Sequence, residues 1–130
     1  MKFAIAVHSS PYASAANHRA LRFCASVLRK GHEISRVFFY HHGVYTALTT
    51  QVPPQDEANT LTAWQTLAVE HNIELSVCIA NALKRGVLSE TERARYERSA
   101  TTLADHFELV GLGQLIDAII GSDRYIEFPA

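Results

Sequence analysis

Little in this chain advertises chemistry. Its 130 residues hold two cysteines, one methionine and one tryptophan, and 12 basic side chains are offset by 13 acidic ones. The two thiols, Cys24 and Cys78, form no C-x-x-C, so they make neither a disulfide framework nor a zinc knuckle, and a reducing setting is expected. A net charge of −1 removes the electrostatic footprint of a nucleic-acid or membrane-surface binder. No apolar stretch approaches the ~18 residues of a membrane helix. Neither H-x-x-x-H nor paired cysteines occur, so no metal ligand set is read. The G-x-x-x-x-G-K-[ST] phosphate loop is missing as well, which argues against a flavodoxin-like nucleotide or flavin site. Gly111-Leu112-Gly113 begins like a dinucleotide loop, but Ile116 stands where its third glycine belongs, and close packing at a helix start is the expected role instead. No cofactor is expected.

What is present is an alternation. Hydrophobic residues make up 48% of the chain, enough for one core and one domain. Phe3 to Val7 is a compact apolar run stopped by Ser9-Ser10-Pro11. With Lys2 before it and Ala13-Ser14-Ala15 after it, it mimics a signal peptide. Its length falls short of the roughly 7–15 apolar residues of a secretory segment. It reads as a buried strand, and the chain is expected to stay in the cytoplasm.

Helical periodicity follows from about Ala15 to Lys30, with Gly31 as the C-terminal cap, and a second strand runs from Ile34 to Tyr40. Gly43 to Asn59, with Pro53-Pro54, reads as the longest loop, and its Val44, Tyr45 and Leu48 either anchor an interface or pack on their own domain. Thr60 to His71 is a helix with Leu61, Trp64, Leu67 and Ala68 on one face. Ile73 to Ile79 is a third strand, and Ala80 to Leu83 opens a short helix. Ser89 to Ala104 is charged and broadly helical, and the mixed charges of Lys84 to Arg98 describe a solvated face. Phe107 to Val110 is a short strand, Gly113 to Gly121 a helix with Leu115, Ile116, Ile119 and Ile120 inward, and Tyr125 to Phe128 a fifth strand. Such alternation predicts one α/β domain with a mainly parallel sheet. The strand order is not legible.

The two cysteines separate by position. At about 100° per residue, Cys24 falls inside the apolar arc of Ala20, Leu21, Phe23, Val27 and Leu28. Arg19, Arg22, Ser26, Arg29 and Lys30 lie opposite. It reads as a small core hydrophobe. Cys78 lies at the carboxyl end of a strand, the edge where open parallel sheets collect ligands and chemistry. A helix starting after it, with Lys84 and Arg85 close behind, favours a thiolate, whereas the alternative is a buried strand residue beside Val77 and Ile79. His8, His41 and His42 also close strands and are candidate partners for the thiol.

The residues also resemble a known family. Gly31-His32-Glu33, Val37-Phe38-Phe39-Tyr40 and Gly43-Val44-Tyr45 are similar to blocks of the DsrE/DsrF-like sulfur-relay proteins, most closely the TusD/DsrE type. Further blocks follow in order: Pro54-Gln55-Asp56-Glu57, Cys78 to Val87, Gly111 to Leu115 and Asp123-Arg124. Together they span almost the whole chain. The resemblance implies a three-layer α/β/α fold and a sulfurtransferase carrying a persulfide on Cys78, open to its partner proteins. It implies TusB-like and TusC-like paralogous subunits in a heterohexamer, and sulfur donor and acceptor carrier proteins. The relay leads to 2-thiolation of the tRNA wobble uridine, with no direct tRNA contact by this subunit. A DsrE-type role in dissimilatory sulfur oxidation and a non-catalytic assembly subunit are the alternatives. Neither Cys24 nor the three histidines match a family site. The resemblance departs at Asn81, where members tend to carry alanine.

Overall fold

Alternation along the first strand sets up the whole molecule. The structure is a computed structural model and describes residues 1–129. In β1 (Lys2–Val7), the large residues Phe3, Ile5 and Val7 alternate with Ala4 and Ala6, and all five are buried. β1 pairs in parallel with β2 (Glu33–Phe39), β2 with β3 (Leu75–Cys78), and β3 with β4 (Phe107–Val110), while β5 (Arg124–Phe128) joins the other side of β1. The sheet is therefore five-stranded, all parallel, in the order β4-β3-β2-β1-β5.

Register lines up Ile5, Val37, Leu75 and Phe107 in one row and Val7, Phe39, Val77 and Leu109 in the next. These rows face α1 (Ala16–Arg29) and α2 (Thr60–His71). Phe3 meets Phe23 edge-on at 5.7 Å, and Phe39 meets Trp64 at 5.2 Å. Gly31 ends α1 with φ +83, a left-handed conformation that costs glycine nothing, while His32 N–H donates to Val27 at 3.0 Å. The last connection runs from β4 at one edge to β5 at the other, through α5 (Leu112–Ile120). A right-handed crossover in that reversed direction places α5 on the opposite face, which gives the expected three layers. Among the described residues, no helix is long and apolar enough to cross a membrane.

Four expectations change. The segment read as the longest loop, Gly43 to Asn59, starts inside a 3-10 helix, His41–Ala47, whose Val44, Thr46 and Ala47 are buried and which takes in His41 and His42, read as closing the second strand. Val44 thus packs on its own domain, and Tyr45 and Leu48 are half-buried. The helix expected over residues 89–104 is only α4 (Glu90–Arg95), following α3 (Ile79–Leu83). Glu97 turns left-handed at φ 53, and Thr102 to Ala104 then pair with the end of the 3-10 segment through Thr49 N–H to Thr102 and Ala104 N–H to Ala47, both 2.8 Å. Finally, α5 buries Ala118 and half-buries Leu115 and Ile119, but leaves Ile116 56% and Ile120 78% exposed, because its nine residues lie along the sheet with a narrow stripe. Gly111 and Gly113 do not serve close packing at its start, for a Cβ on either would meet nothing within 4 Å.

Candidate functional site

Cys78 is the last residue of β3 and takes the position before the first turn of α3, with extended backbone at φ −60, ψ 115. Residues three and seven positions further on return to the same side of the chain, and these are Asn81 and Arg85. The Asn81 side-chain amide donates from Nδ2 to Cys78 Sγ at 3.2 Å. Arg85 Nη1 donates to both the side-chain Oδ1 and the backbone carbonyl of Asn81, each at 3.2 Å. Arg85 Nε donates to His42 Nδ1 at 3.3 Å. His42 thus joins the thiol only through two intermediaries.

The thiol is not open. Cys78 is 3% exposed and Asn81 9%, because the 3-10 segment packs against both β3 and α3. An exposed sulfur, expected from the resemblance, is therefore corrected to one buried beneath the strand-end rim in the isolated chain.

His8 and His41 form a separate pair, with Nδ1 atoms 3.0 Å apart. His41 sits at φ 49, at the entry to the 3-10 segment, with its ring 4.2 Å from that of Tyr40. Partial desolvation, then the neighbouring His8, Arg85, His42 and Lys84, hold its pKa below the ordinary 6.5. His8 Nε2 stands 3.6 Å from Glu127 Oε1, beyond a hydrogen bond, and has no other partner among the described residues. Glu127 is engaged instead by the Tyr125 hydroxyl, which donates to Oε1 at 2.6 Å. Burial, and then this acceptor and its charge, push the Tyr125 phenol up. Among the described residues, neither His8 nor His41 hydrogen-bonds Cys78, and no group of three or more His, Cys, Asp or Glu is placed to hold a metal ion.

Cys24 lies in the core at 0% exposure, as the helical arc predicts. Burial pushes its thiol from 9.0 up to about 12, which leaves it protonated and inert at neutral pH. Asn81 entered the sequence reading only as a departure from a family pattern, and Arg85 only as a source of positive potential. Their spacing from Cys78 was the available signal, since a short helix after the strand brings residues three and seven on together.

Comparison with known proteins gives the same family that the residue blocks suggest. Residues 1–128 match the family model described as the DsrE/DsrF-like family. A DsrE protein of Allochromatium vinosum, provisionally named a sulfurtransferase, is 41% identical over 128 residues, covering 98% of this chain and 98% of that protein. A protein of Salmonella enteritidis named sulfurtransferase TusD is 40% identical over 128 residues, covering 98% of this chain and 100% of its own. Among solved structures, the ychN protein from E. coli superposes with a TM-score of 0.79 at 21% identity, over 98% of this chain and 99% of that one, a likeness of fold.

Proposed function

Because this chain belongs to the DsrE/DsrF-like family, we propose that it is a sulfurtransferase subunit that carries sulfur as a persulfide on Cys78. The observation that carries the reading is the placement of Cys78 at the carboxyl end of β3 with an amide donor on its sulfur. Sulfurtransferase names on relatives matched over nearly the full chain support the activity class. The Cys78 thiolate attacks the outer sulfur of a donor protein's persulfide, and the donor leaves as a thiolate. An acceptor thiolate then takes that outer sulfur, and Cys78 leaves as the thiolate it began as. No net oxidation occurs, and no second cysteine is needed.

The setting is a reducing cytoplasm, and the partners are TusB-like and TusC-like paralogues in a heterohexamer, together with carrier proteins that bring and remove sulfur. The exposed apolar face of α5 (Leu112, Ile116 and Ile120) supports an assembled state. The destination is 2-thiolation of the tRNA wobble uridine. The DsrE protein at 41% identity supports dissimilatory sulfur oxidation as the competing destination.

A second reading, a non-catalytic assembly subunit, is favoured by the 3% exposure of Cys78. Intact mass after treatment with glutathione persulfide separates the two. Wild type and Cys24→Ala gain one sulfur, and Cys78→Ser gains none. Equal gain by wild type and Cys78→Ser would falsify the assignment. Loss of 2-thiouridine from tRNA when the gene is deleted decides the destination.

A further inference from the structure

We propose that Asn81 is a catalytic hydrogen-bond donor to the reacting sulfur and that Arg85 is the positioning residue that fixes the orientation of its amide. This rests on the reading that Cys78 carries the sulfur, and it gives Asn81 a part in the transfer and Arg85 one beyond its positive potential.

The geometry specifies which way the amide faces. An asparagine side chain has one accepting and one donating end. Arg85 presents only donors, and its Nη1 lies 3.2 Å from Oδ1, so the flipped amide would set NH₂ against guanidinium. Oδ1 must face Arg85, and Nδ2 therefore faces Cys78 Sγ at 3.2 Å. Arg85 is in turn held by the Asn81 carbonyl at 3.2 Å and by His42 Nδ1 at 3.3 Å. Asn81 is 9% exposed, so water competes little for the contact, and a donor aimed at a developing anion costs no reorganisation.

The chemistry uses that donor unequally. During loading, the Sγ–S bond forms as the donor's S–S bond breaks, and negative charge leaves Sγ. During discharge, the acceptor's S–S bond forms as the Sγ–S bond breaks, and the electron pair returns to Sγ as a thiolate. A hydrogen bond to the anion raises the thiolate fraction and improves Cys78 as a leaving group, but slightly blunts its nucleophilicity. Asn81 thus contributes to discharge at every pH, and to loading only where the thiolate is scarce.

The charged and titratable groups around this chain of contacts are Lys84 and Arg85 after α3, and His41 and His42 in the 3-10 segment. The flanking strands end in Phe39 and Val110 beside the site, and Glu108 pairs one pleat away, with Ser76.

The test uses the full chain, glutathione persulfide as donor and dithiothreitol as acceptor, with each variant's fold checked by thermal unfolding. For Asn81→Ala, discharge falls about tenfold, the lower end of a charge-assisted hydrogen bond, while loading on the alkaline plateau changes less than about twofold. The pH profile of Cys78 alkylation by iodoacetamide moves up by about half to one unit. Asn81→Asp keeps the shape and the Arg85 contact but turns an acceptor toward the sulfur, so its profile moves further than that of Asn81→Ala. Arg85→Met shows a partial form of the Ala effect, and adding it to Asn81→Ala changes nothing more. A folded Asn81→Ala with wild-type discharge and profile overturns the proposal. So does equal slowing of loading and discharge without a profile shift, the outcome of a merely structural role. If Cys78→Ser still accepts sulfur, the persulfide reading falls and takes this proposal with it. Loss of loading in Cys78→Ser with no effect at Asn81 sinks this proposal alone.

Discussion

The indole of Trp64 donates from Nε1 to Asn17 Oδ1 across 2.9 Å, between two helices, in a part of the core where both side chains are 0% exposed. The Asn17 amide donates onward to Thr46 Oγ1 at 2.8 Å and to the Ser9 carbonyl at 3.1 Å. One buried asparagine therefore ties α1, α2, the 3-10 segment and the loop after β1 together. Asn17→Ala leaves the indole N–H unpaired in the core, and the expected loss is about 3 kcal/mol of unfolding free energy. Chemical denaturation measures it, and a loss under about 1 kcal/mol would mean the network contributes little.

Gly43 lies against the end of β1. A Cβ there would stand 2.2 Å from the Val7 carbonyl oxygen, a backbone atom that already accepts from Tyr40 N–H at 2.9 Å. Gly43→Ala is expected to cost about 2 kcal/mol, the scale of an overpacked site. Gly113 has open space around its Cβ position inside α5. Gly113→Ala is therefore expected to raise stability by roughly 0.7 kcal/mol through helix propensity and a less flexible unfolded chain. Thermal unfolding of the pair checks both signs.

Cys24 gives the protein an alkaline liability. Its thiol is pushed up to about 12 in the folded state, from an ordinary 9.0, by burial in the core. As pH rises past 9 the unfolded chain loses this proton first, so it holds fewer protons than the folded chain and stability falls. The fall continues until the folded thiol itself ionises. Stability against pH between 8 and 11 is expected to slope more gently in Cys24→Ala, whose absolute stability is lower through lost packing. An unchanged slope would show that other groups set the alkaline limb.

Leu112, Ile116 and Ile120 are 47%, 56% and 78% exposed and recur every fourth residue along one face of α5. Ile116→Glu with Ile120→Glu is expected to leave unfolding stability within about 0.5 kcal/mol of wild type. If the proposed assembly with TusB-like and TusC-like paralogues forms on co-expression, the pair should lower its mass, as read by light scattering. An unaltered mass places the interface elsewhere.

How far the residues could be read varied along the chain. β1 and α1 were legible because the strand is an unbroken apolar run stopped by Ser9-Ser10-Pro11 and the helix carries a clean 3.6 period that Gly31 ends. Residues 43–47 were read as loop because so short a 3-10 segment shows too little of its three-residue period to stand out. Its burial follows from Gly43 fitting against Val7 and from the bond between Thr46 and Asn17, both long-range facts. The inward placement of Ile116 and Ile120 failed for a related reason. Periodicity shows that a helix has an apolar face, but not that the same chain covers it.

Sequence alone determined the α/β alternation, the burial of Cys24 and the placement of Cys78 at a strand end, since each depends on neighbours within one or two turns. Tertiary structure decided the strand order, because pairing joins residues far apart in the chain. It also decided that the 3-10 segment covers Cys78 and brings His42 to Arg85. Those contacts depend on where separate elements come to rest on the sheet, and no local pattern of residues encodes that distance.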